Sequence, residues 1–224
     1  MITLCIETST TVCSAAIVKD GEPIKQCINY EGSNHARLLP LYIEELLAYA
    51  REQGLTIEAV ALSEGPGSYT GLRIGASTAK GLCYGLNVPL IPVPTLEVLC
   101  EAVRKRLAMS DERLAVMIPM IDARRMEVYT SLDGETKAVV VENEDSLYAG
   151  DQDVYYFGDG AAKCAKVFTR PNWHYIPDIV PEAKYVGTLA ESGKKKVEST
   201  ALAYYEPFYL KEFVAAQSHV KGLK

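Results

Sequence analysis

Short runs in which apolar and polar residues alternate open the chain and predict β-strands. The runs are Ile2–Glu7, Val12–Val18 and Pro23–Asn29, and they are rich in Ile, Val, Cys and Thr, as strands usually are. Asp20 and Gly21 lie between the second and third runs, and Asp-Gly in this position is a hairpin signal. The chain therefore begins with a predicted antiparallel meander of three strands.

A helical period of apolar residues follows the meander. One helix face is marked by Leu39, Ile43, Leu46 and Ala50, with Pro40 predicted in the first turn and Gly54 closing the helix. The next predicted elements are a strand over Ile57–Ser63, a helix from about Thr70 to Leu86, a strand over Leu90–Val93, and a helix from Thr95, its N-cap, to about Leu107. The order βββαβαβα is typical of a ribonuclease-H-like α/β unit whose later strands are parallel.

A second, looser cycle of the same kind begins near Arg113. It comprises predicted strands over Leu114–Ile121, Met126–Leu132, Lys137–Glu142 and Val154–Phe157, and helices over Ala161–Phe168 and Pro181–Ser192. Two such cycles predict an α/β fold of two tandem βββαβα-type subdomains. The first would span residues 1–108 and the smaller second one residues 109–206, with a tail over 207–224 that could pack back on the first.

The composition limits the classes of function that are open to the chain. Its 224 residues carry 23 Lys and Arg against 29 Asp and Glu, a formal charge of −6, which argues against a protein that holds nucleic acid alone through a broad basic face. Glu7 interrupts the first apolar run before a signal-peptide core could form, and no run approaches the ~18 apolar residues of a membrane span. The six scattered cysteines form no CxxC pair. We therefore expect a cytoplasmic chain with reduced thiols and no membrane contact.

The glycine-rich stretch over residues 65–75 is the most informative motif. Such a stretch forms either a tight strand-to-helix turn or a cradle in which backbone N–H groups bind phosphate. Two standard phosphate patterns that start at Gly65, the Walker A loop and GxGxxG, both require glycine where Thr70 stands. The spacing alone therefore does not predict a nucleotide site.

The twelve residues Glu64–Gly75, which read EGPGSYTGLRIG, resemble the signature of the TsaB family, also called YeaZ. The segments Ile6–Ser9, Ile121–Tyr129 and Pro207–Leu210 follow in the family's order, so the resemblance covers essentially the whole chain. It implies an actin-like ASKHA fold of two subdomains. It also implies a role in forming threonylcarbamoyladenosine (t6A) next to the anticodon of tRNA, as the non-catalytic partner and activator of the paralogous transferase TsaD.

The resemblance carries further expectations about partners and cofactors. It implies a TsaE-like ATPase in a larger complex, tRNA contacted indirectly through that complex, and a homodimer when the chain is alone. ASKHA proteins hold nucleotide phosphates between the first hairpin, here Thr8 and Ser9, and a later Gly-x-Gly, here Gly158 and Gly160. The implied site in this chain is vestigial, with no intrinsic cofactor and at most a weak or shared ATP/ADP site in the complex.

The TsaD family provides a comparison for the metal. It has a similar Gly-Pro-Gly loop, helix and Pro-Val dipeptide, followed by two metal-binding histidines four residues apart on one helix face. The matching positions here, after Pro92 and Val93, are Thr95 and Leu99. Neither side chain can replace an imidazole, so the resemblance implies that this chain has lost the metal site.

Two classes of enzyme remain as alternatives. A nucleotide-hydrolysing ASKHA enzyme would use a carboxylate after the first strand for Mg²⁺ and water, and Glu7 stands there. Asp122 begins a second acidic motif but has no obvious metal-binding companion. A protease, which the old glycoprotease label of such families suggests, would need a nucleophile beside a base. His35, His174 and His219 are widely separated, and no spacing pairs them with a cysteine or serine.

The first two helices carry more apolar surface than one sheet face requires. Beside its main stripe, the first helix has a second one formed by Leu38, Tyr42 and Tyr49. The second helix has a neighbouring stripe formed by Gly71, Gly75, Thr78 and Leu82. Because small residues one turn apart let helices approach closely, we expect these seven residues to form the partner interface.

Overall fold

The chain, described here by a computed structural model, folds into two α/β lobes that each contain a five-stranded sheet. The structure describes residues 1–32, 34–108, 115–132, 134–192, 196–198 and 200–211. The first lobe contains β1 (Ile2–Glu7), β2 (Cys13–Lys19), β3 (Glu22–Asn29), α1 (His35–Glu52), β4 (Ala59–Gly65), α2 (Tyr69–Leu86), β5 (Leu90–Pro94) and α3 (Thr95–Leu107). The second contains β6 (Val116–Asp122), β7 (Glu127–Leu132), β8 (Glu135–Val140), β9 (Val154–Phe157), α4 (Ala161–Cys164) and β10 (Trp173–Ile176), after which comes α5 (Ala183–Ser192).

The two sheets have the same topology. Their strand orders are β3-β2-β1-β4-β5 and β8-β7-β6-β9-β10. In each sheet three antiparallel strands form a meander, and two further strands extend it in parallel. The predicted α/β class with two similar cycles is therefore confirmed.

Most elements lie within a few residues of their predicted bounds, and the differences have physical reasons. Helix α1 begins at His35, so Pro40 lies in the second turn and not in the first. Pro40 has no N–H to give to the Ala36 carbonyl, and this is tolerated because both residues lie on the exposed side of the helix. Helix α4 ends at Cys164, well before Phe168. Strand β10 was not predicted, because its four residues are too few to show a clear alternation of apolar and polar positions.

Helices cover both faces of the first sheet. On one face lie α1 and α2, with the predicted stripe of α1 fully inside the core. On the other face α5 packs against β1, β2 and β3. Gly187 permits this approach, because a Cβ atom there would lie 2.3 Å from Val18 Cγ2. The range 109–206 thus contributes its last helix to the sheet of the first lobe.

The expected boundary and tail are described only in part. Residues 109–114, at the expected boundary between the subdomains, and residues 212–224 of the expected tail lie outside the described residues. The start of the tail does lie against the first lobe, where the Phe208 N–H donates to the Glu64 carbonyl at 2.7 Å. In the described parts of the chain, no helix has both the length and the apolar character needed to cross a membrane.

Helix α2 lies very close to the loop that follows β1. A Cβ atom on Gly71 would lie 2.1 Å from the Thr8 carbonyl oxygen, and one on Gly75 would lie 2.4 Å from Thr8 Oγ1. Both glycines are buried. Their small size therefore serves packing inside the lobe, which corrects their assignment to the partner interface.

We predict that Gly71→Ala destabilises the folded chain. The added methyl group meets backbone and must displace it, which costs about 1–3 kcal/mol by overpacking. For a chain of this size each kcal/mol lowers Tm by roughly 2–4 °C, and thermal unfolding followed by circular dichroism measures the shift.

Gly81→Ala is the matched control on the same helix. No atom lies within 4 Å of a Cβ built at Gly81, so alanine should stabilise the helix by about 0.5–1 kcal/mol. A Gly71→Ala variant as stable as Gly81→Ala would show that the loop can move away from α2.

Candidate functional site

The start of the loop after β1 is closed off from solvent. Thr8 and Ser9, expected to be remnants of a nucleotide site, are fully buried. The Thr8 hydroxyl donates to the Gly71 carbonyl at 2.8 Å, while the Ser9 N–H and hydroxyl donate to Glu7 Oε1 at 2.5 and 2.6 Å. The Ser9 carbonyl accepts the Ser68 N–H at 2.6 Å. These groups are engaged within the protein, so they do not form an open phosphate cradle.

The later glycines also have a packing role. A Cβ atom on Gly158 would lie 2.2 Å from the Met120 carbonyl oxygen, and one on Gly160 would lie 3.0 Å from the carbonyl carbon of Ile121. The Gly160 N–H donates to the Met120 carbonyl at 3.1 Å. The two glycines therefore seat the turn between β9 and α4 against the end of β6.

Glu7 ends β1 and has no exposed surface. Its Oε1 atom accepts both hydrogen bonds from Ser9, whereas its buried Oε2 atom has no hydrogen-bond partner. Burial raises the pKa of the Glu7 carboxyl, and the nearby hydroxyls of Ser63 and Ser9 offset part of the rise. The charge of Asp159 in the second lobe raises this pKa further. Burial thus disfavours the charged form of Glu7, unlike that of the accessible carboxylate that binds Mg²⁺.

The two positions that match the transferase's metal-binding histidines are used for packing. Thr95 is the first residue of α3, and Pro94, not Thr95, is its N-cap. The Thr95 hydroxyl lies 2.6 Å from Ser63 Oγ and accepts the Gly65 N–H at 3.0 Å. Leu99 is fully buried in an apolar cluster that joins α3 to the second lobe. Among the described residues, no group of three His, Cys, Asp or Glu side chains is placed to hold a metal ion.

The described histidines have structural partners. His35 is buried at the start of α1, and its Nε2 atom lies 2.7 Å from the Thr10 carbonyl oxygen. His174 lies on β10 with its Nε2 atom 3.0 Å from Asp153 Oδ1, and His219 lies outside the described residues. Burial raises the pKa of the Cys13 thiol to about 11, which disfavours a thiolate nucleophile at neutral pH. These environments give no support to the protease alternative.

An open groove lies between the outward faces of α1 and α2, and we call it the helical groove. Its volume is about 480 Å³. The residues that line it include Ala36, Pro40, Thr70, Ile74, Ser77 and Thr78. These six are small or apolar, which suits contact with another helix, and Tyr69 and Arg73 complete the lining.

The structure divides the predicted interface residues between the core and this groove. Half-buried against the core of the first sheet are Leu38, Tyr42, Tyr49 and Leu82. Thr78 lines the helical groove. With Gly71 and Gly75 inside the lobe, the outward surface is formed largely by residues other than those predicted.

The outward face of α2 is not among the residues predicted from the sequence. Ser77, Gly81 and Gly85 follow one another at four-residue spacing and are exposed. Leu41 on α1 and Tyr84 on α2 are exposed over 56% and 85% of their surface. The four-residue spacing was a usable signal, but nothing local distinguishes it from the same spacing of the inward glycines.

Comparisons with known proteins agree with this architecture. The family model described as TsaD, tRNA N6-adenosine threonylcarbamoyltransferase, matches residues 30–152. A tRNA threonylcarbamoyladenosine biosynthesis protein TsaB from Haemophilus influenzae is 37% identical over 94% of this chain and 94% of its own. A tRNA N6-adenosine threonylcarbamoyltransferase from Geotalea daltonii is 34% identical over 43% of this chain and 33% of its own.

The solved structures include a full-length match. YeaZ from Pseudomonas aeruginosa superposes with a TM-score of 0.71 at 25% identity, over 93% of this chain and 99% of its own. The actin-like ASKHA fold of two subdomains is thereby confirmed.

We predict that Glu7 makes the stability of the chain depend on pH. Its folded-state pKa lies above that of the unfolded chain, so the folded protein holds the extra proton between these two values. Stability therefore falls as pH rises through that window, which starts near the ordinary glutamate value of 4.5. Glu7→Gln keeps an acceptor for Ser9 and removes the ionisation, so it should be more stable than the parent at neutral pH, with the advantage shrinking in acid.

Free energies of unfolding in urea, measured from acid to neutral pH, test this expectation. Glu52→Gln, at an exposed position of α1, is the control and should follow the parent's pH profile. A Glu7→Gln profile parallel to that of the parent would show that Glu7 does not titrate in this range.

Proposed function

The chain belongs to the TsaB family, and we propose that it acts in the formation of t6A in tRNA as a non-catalytic subunit that binds and activates a TsaD-like transferase. The observation that carries this proposal is the full-length likeness to a TsaB protein named for this biosynthesis. In the part of the chain that the structure describes, the carboxyl of Glu7 and the hydroxyls of Thr8 and Ser9 are buried in internal hydrogen bonds, and burial raises the pKa of the Cys13 thiol.

Support for a non-catalytic role comes from the positions that would bear the chemistry. Thr95 is held in a buried hydrogen-bond network with Ser63 and Gly65, and Leu99 forms part of the contact between the lobes. A metal at this place would need two imidazoles and room around them. The present side chains supply neither the ligands nor the space.

The partner surface is the helical groove. The TsaD family model matches residues 30–152, a range that includes both α1 and α2, so a TsaD-like partner would present two equivalent helices. Pairing the two grooves would bring four helices together, with small residues such as Ala36, Ser77 and Gly81 at the seam. Two copies of this chain could pair through the same surface when the transferase is absent.

Nucleotide, in this proposal, is handled by the assembly and not by this subunit alone. Thr8 and Ser9 are engaged in internal hydrogen bonds. Weak binding of ATP or ADP is therefore assigned to a site that this chain forms jointly with the transferase. ATP hydrolysis is assigned to a TsaE-like ATPase of the larger complex.

We predict that Ala36→Asp disrupts the complex without harming the monomer. Ala36 is exposed in the first turn of α1, which contains no acidic residue, so a carboxylate there interacts favourably with the helix dipole. In the paired state the same carboxylate would be buried without a partner, at a cost of several kcal/mol. The dissociation constant should rise by about 100-fold or more, since each 1.4 kcal/mol is a factor of ten.

Calorimetric titration against the TsaD-like protein of the same cell measures the affinity, and thermal unfolding measures the monomer. Ala162→Asp, an exposed alanine in α4 of the second lobe, adds the same charge away from the groove and should bind as the parent does. Leu38→Asp is a poorer test, because Leu38 is half-buried against the core. Unchanged affinity of Ala36→Asp would place the partner on another surface.

We predict that the full chain alone does not hydrolyse ATP above background in the presence of Mg²⁺. The reason is that the carboxyl and hydroxyl groups near Glu7 are buried and bonded to each other. Phosphate release is the measurement. A hydrolysis rate that Glu7→Gln abolishes would instead support the nucleotide-hydrolysing alternative.

A further inference from the structure

A second groove lies along the other side of α2, between this helix and the start of the tail. Its volume is about 490 Å³, and the residues that line it include Tyr69, Arg73, Lys80, Glu206, Tyr209 and Lys211. We call it the basic groove. It shares Tyr69, Arg73 and Ser77 with the helical groove, so the two open on either side of one ridge.

Aromatic rings form one wall of the basic groove. The ring centroids of Tyr69 and Tyr209 lie 5.0 Å apart with the planes tilted by 41°. The Arg73 guanidinium lies 5.2 Å from the centre of the Tyr69 ring. Such a combination of partly exposed tyrosines and a guanidinium offers stacking surface to a planar base.

Lysines fix the tail and extend the groove to the second lobe. Lys80 Nζ donates to the carbonyls of Ala203 and Tyr205 at 3.1 and 2.8 Å, and neutral acceptors leave its charge in place. Lys211 forms an ion pair with Glu127 of β7. Lys211 thus links the lining of the groove to the first residue of β7, which directly follows a turn.

That turn carries two exposed arginines in an unfavourable conformation. Arg124 and Arg125 have φ angles of 70° and 50°, and two successive positive φ angles are ordinarily met by Asn-Gly. The Arg124 N–H donates to Asp122 Oδ1 at 3.0 Å, and the Glu127 N–H donates to the Arg124 carbonyl at 3.1 Å, so the turn is well held. Both arginines are thus kept exposed despite a backbone cost, in the turn that precedes β7, the strand whose Glu127 pairs with Lys211 of the groove.

The charges of this region do not cancel. Two of its carboxylates, Asp122 and Glu127, are already paired with Lys163 and Lys211. Among the remaining groups that line the groove and the turn, four cations, Arg73, Lys80, Arg124 and Arg125, are then opposed by two acids, Glu206 and Asp159, whose Oδ1 accepts the Asp122 N–H at 2.9 Å. A local excess of positive charge on a chain with a net charge of −6 points to a polyanionic ligand.

We propose that the basic groove binds a single-stranded segment of RNA directly, with Arg124 and Arg125 contacting phosphates and Tyr209 stacking on a base. The inference rests on the proposed function, which places the chain at a tRNA. It goes beyond that function, because it gives this subunit its own RNA contact and does not leave RNA binding entirely to the partner.

The charge test uses the double variant Arg124→Asn/Arg125→Gly, which removes two charges and suits the left-handed turn better than the parent sequence does. The probes are a fluorescein-labelled hairpin with an unpaired anticodon-type loop and a fully paired RNA duplex of equal length. We expect fluorescence anisotropy to show preferential binding of the loop probe by the full chain. The double variant should lose about tenfold in affinity at low salt, with a salt slope shallower by roughly 1.4, as for two single-strand phosphate contacts.

Lys19→Gln/Lys105→Gln is the matched control for charge. Lys105 Nζ lies 3.9 Å from Glu22 Oε1, and Glu22 lies opposite Lys19 in the register of β2 and β3. Lys19 in turn lies opposite Ile2, at the other end of β1 from Glu7. Both lysines are therefore at the end of the first sheet that is opposite Glu7. This control should keep the parent's affinity for RNA. In a separate pair that tests stacking, Tyr209→Phe should bind as the parent does and Tyr209→Leu should lose several-fold.

Three outcomes would overturn the inference. The loop probe could bind no better than the duplex, or the control could lose as much affinity as the groove variant. Alternatively, Arg124→Asn/Arg125→Gly could weaken binding of the TsaD-like protein and leave RNA binding intact, in which case the groove seats an acidic protein surface. The Ala36→Asp titration tests the proposed function separately, since Ala36 does not line the basic groove.

Discussion

The close approach of α2 to the loop after β1 is the contact on which the rest of the structure depends. Gly67, Gly71 and Gly75 face Ser9 and Thr8 at distances that leave no room for a Cβ atom. Because this approach excludes side chains, the two segments meet through backbone and hydroxyl groups, which bond to each other. The region that could have cradled a phosphate is thus filled by the protein's own helix.

This contact also sets the orientation of both exposed grooves. Once one face of α2 is pressed against the loop, its opposite face must point outward, where Ser77 and Gly81 lie. His35 fixes the start of α1 to the same loop through the Thr10 carbonyl, and the two helices then enclose the helical groove. On the other side of α2, the tail forms the second wall of the basic groove, with its Phe208 N–H bonded to the end of β4.

The spacing of apolar residues and the turn residues predicted the features that depend on neighbouring positions in the sequence. The core stripe of α1 and the order of strands and helices follow from apolar period and turn residues, and the structure contains them. The inward direction of Gly71 and Gly75 could not be predicted, because small residues at four-residue spacing suit an internal contact and an external one equally well. The packing of α5 on the first sheet and the ion pair between Lys211 and Glu127 join residues far apart in sequence, which a period cannot reveal.

The contact between the lobes explains how one topology can serve either catalysis or support. In this chain, Leu99 of α3 packs with Phe157 and Ile176 of the second lobe, and Thr95 bonds to Ser63 and Gly65, so internal contacts close the interior at the expected metal position. A catalytic site needs polar groups and an opening at this place, and both weaken the packing of the lobes. In the proposed supporting role, Thr95 and Leu99 replace the ligands of a metal site by internal contacts that join α3 to the first sheet and to the second lobe.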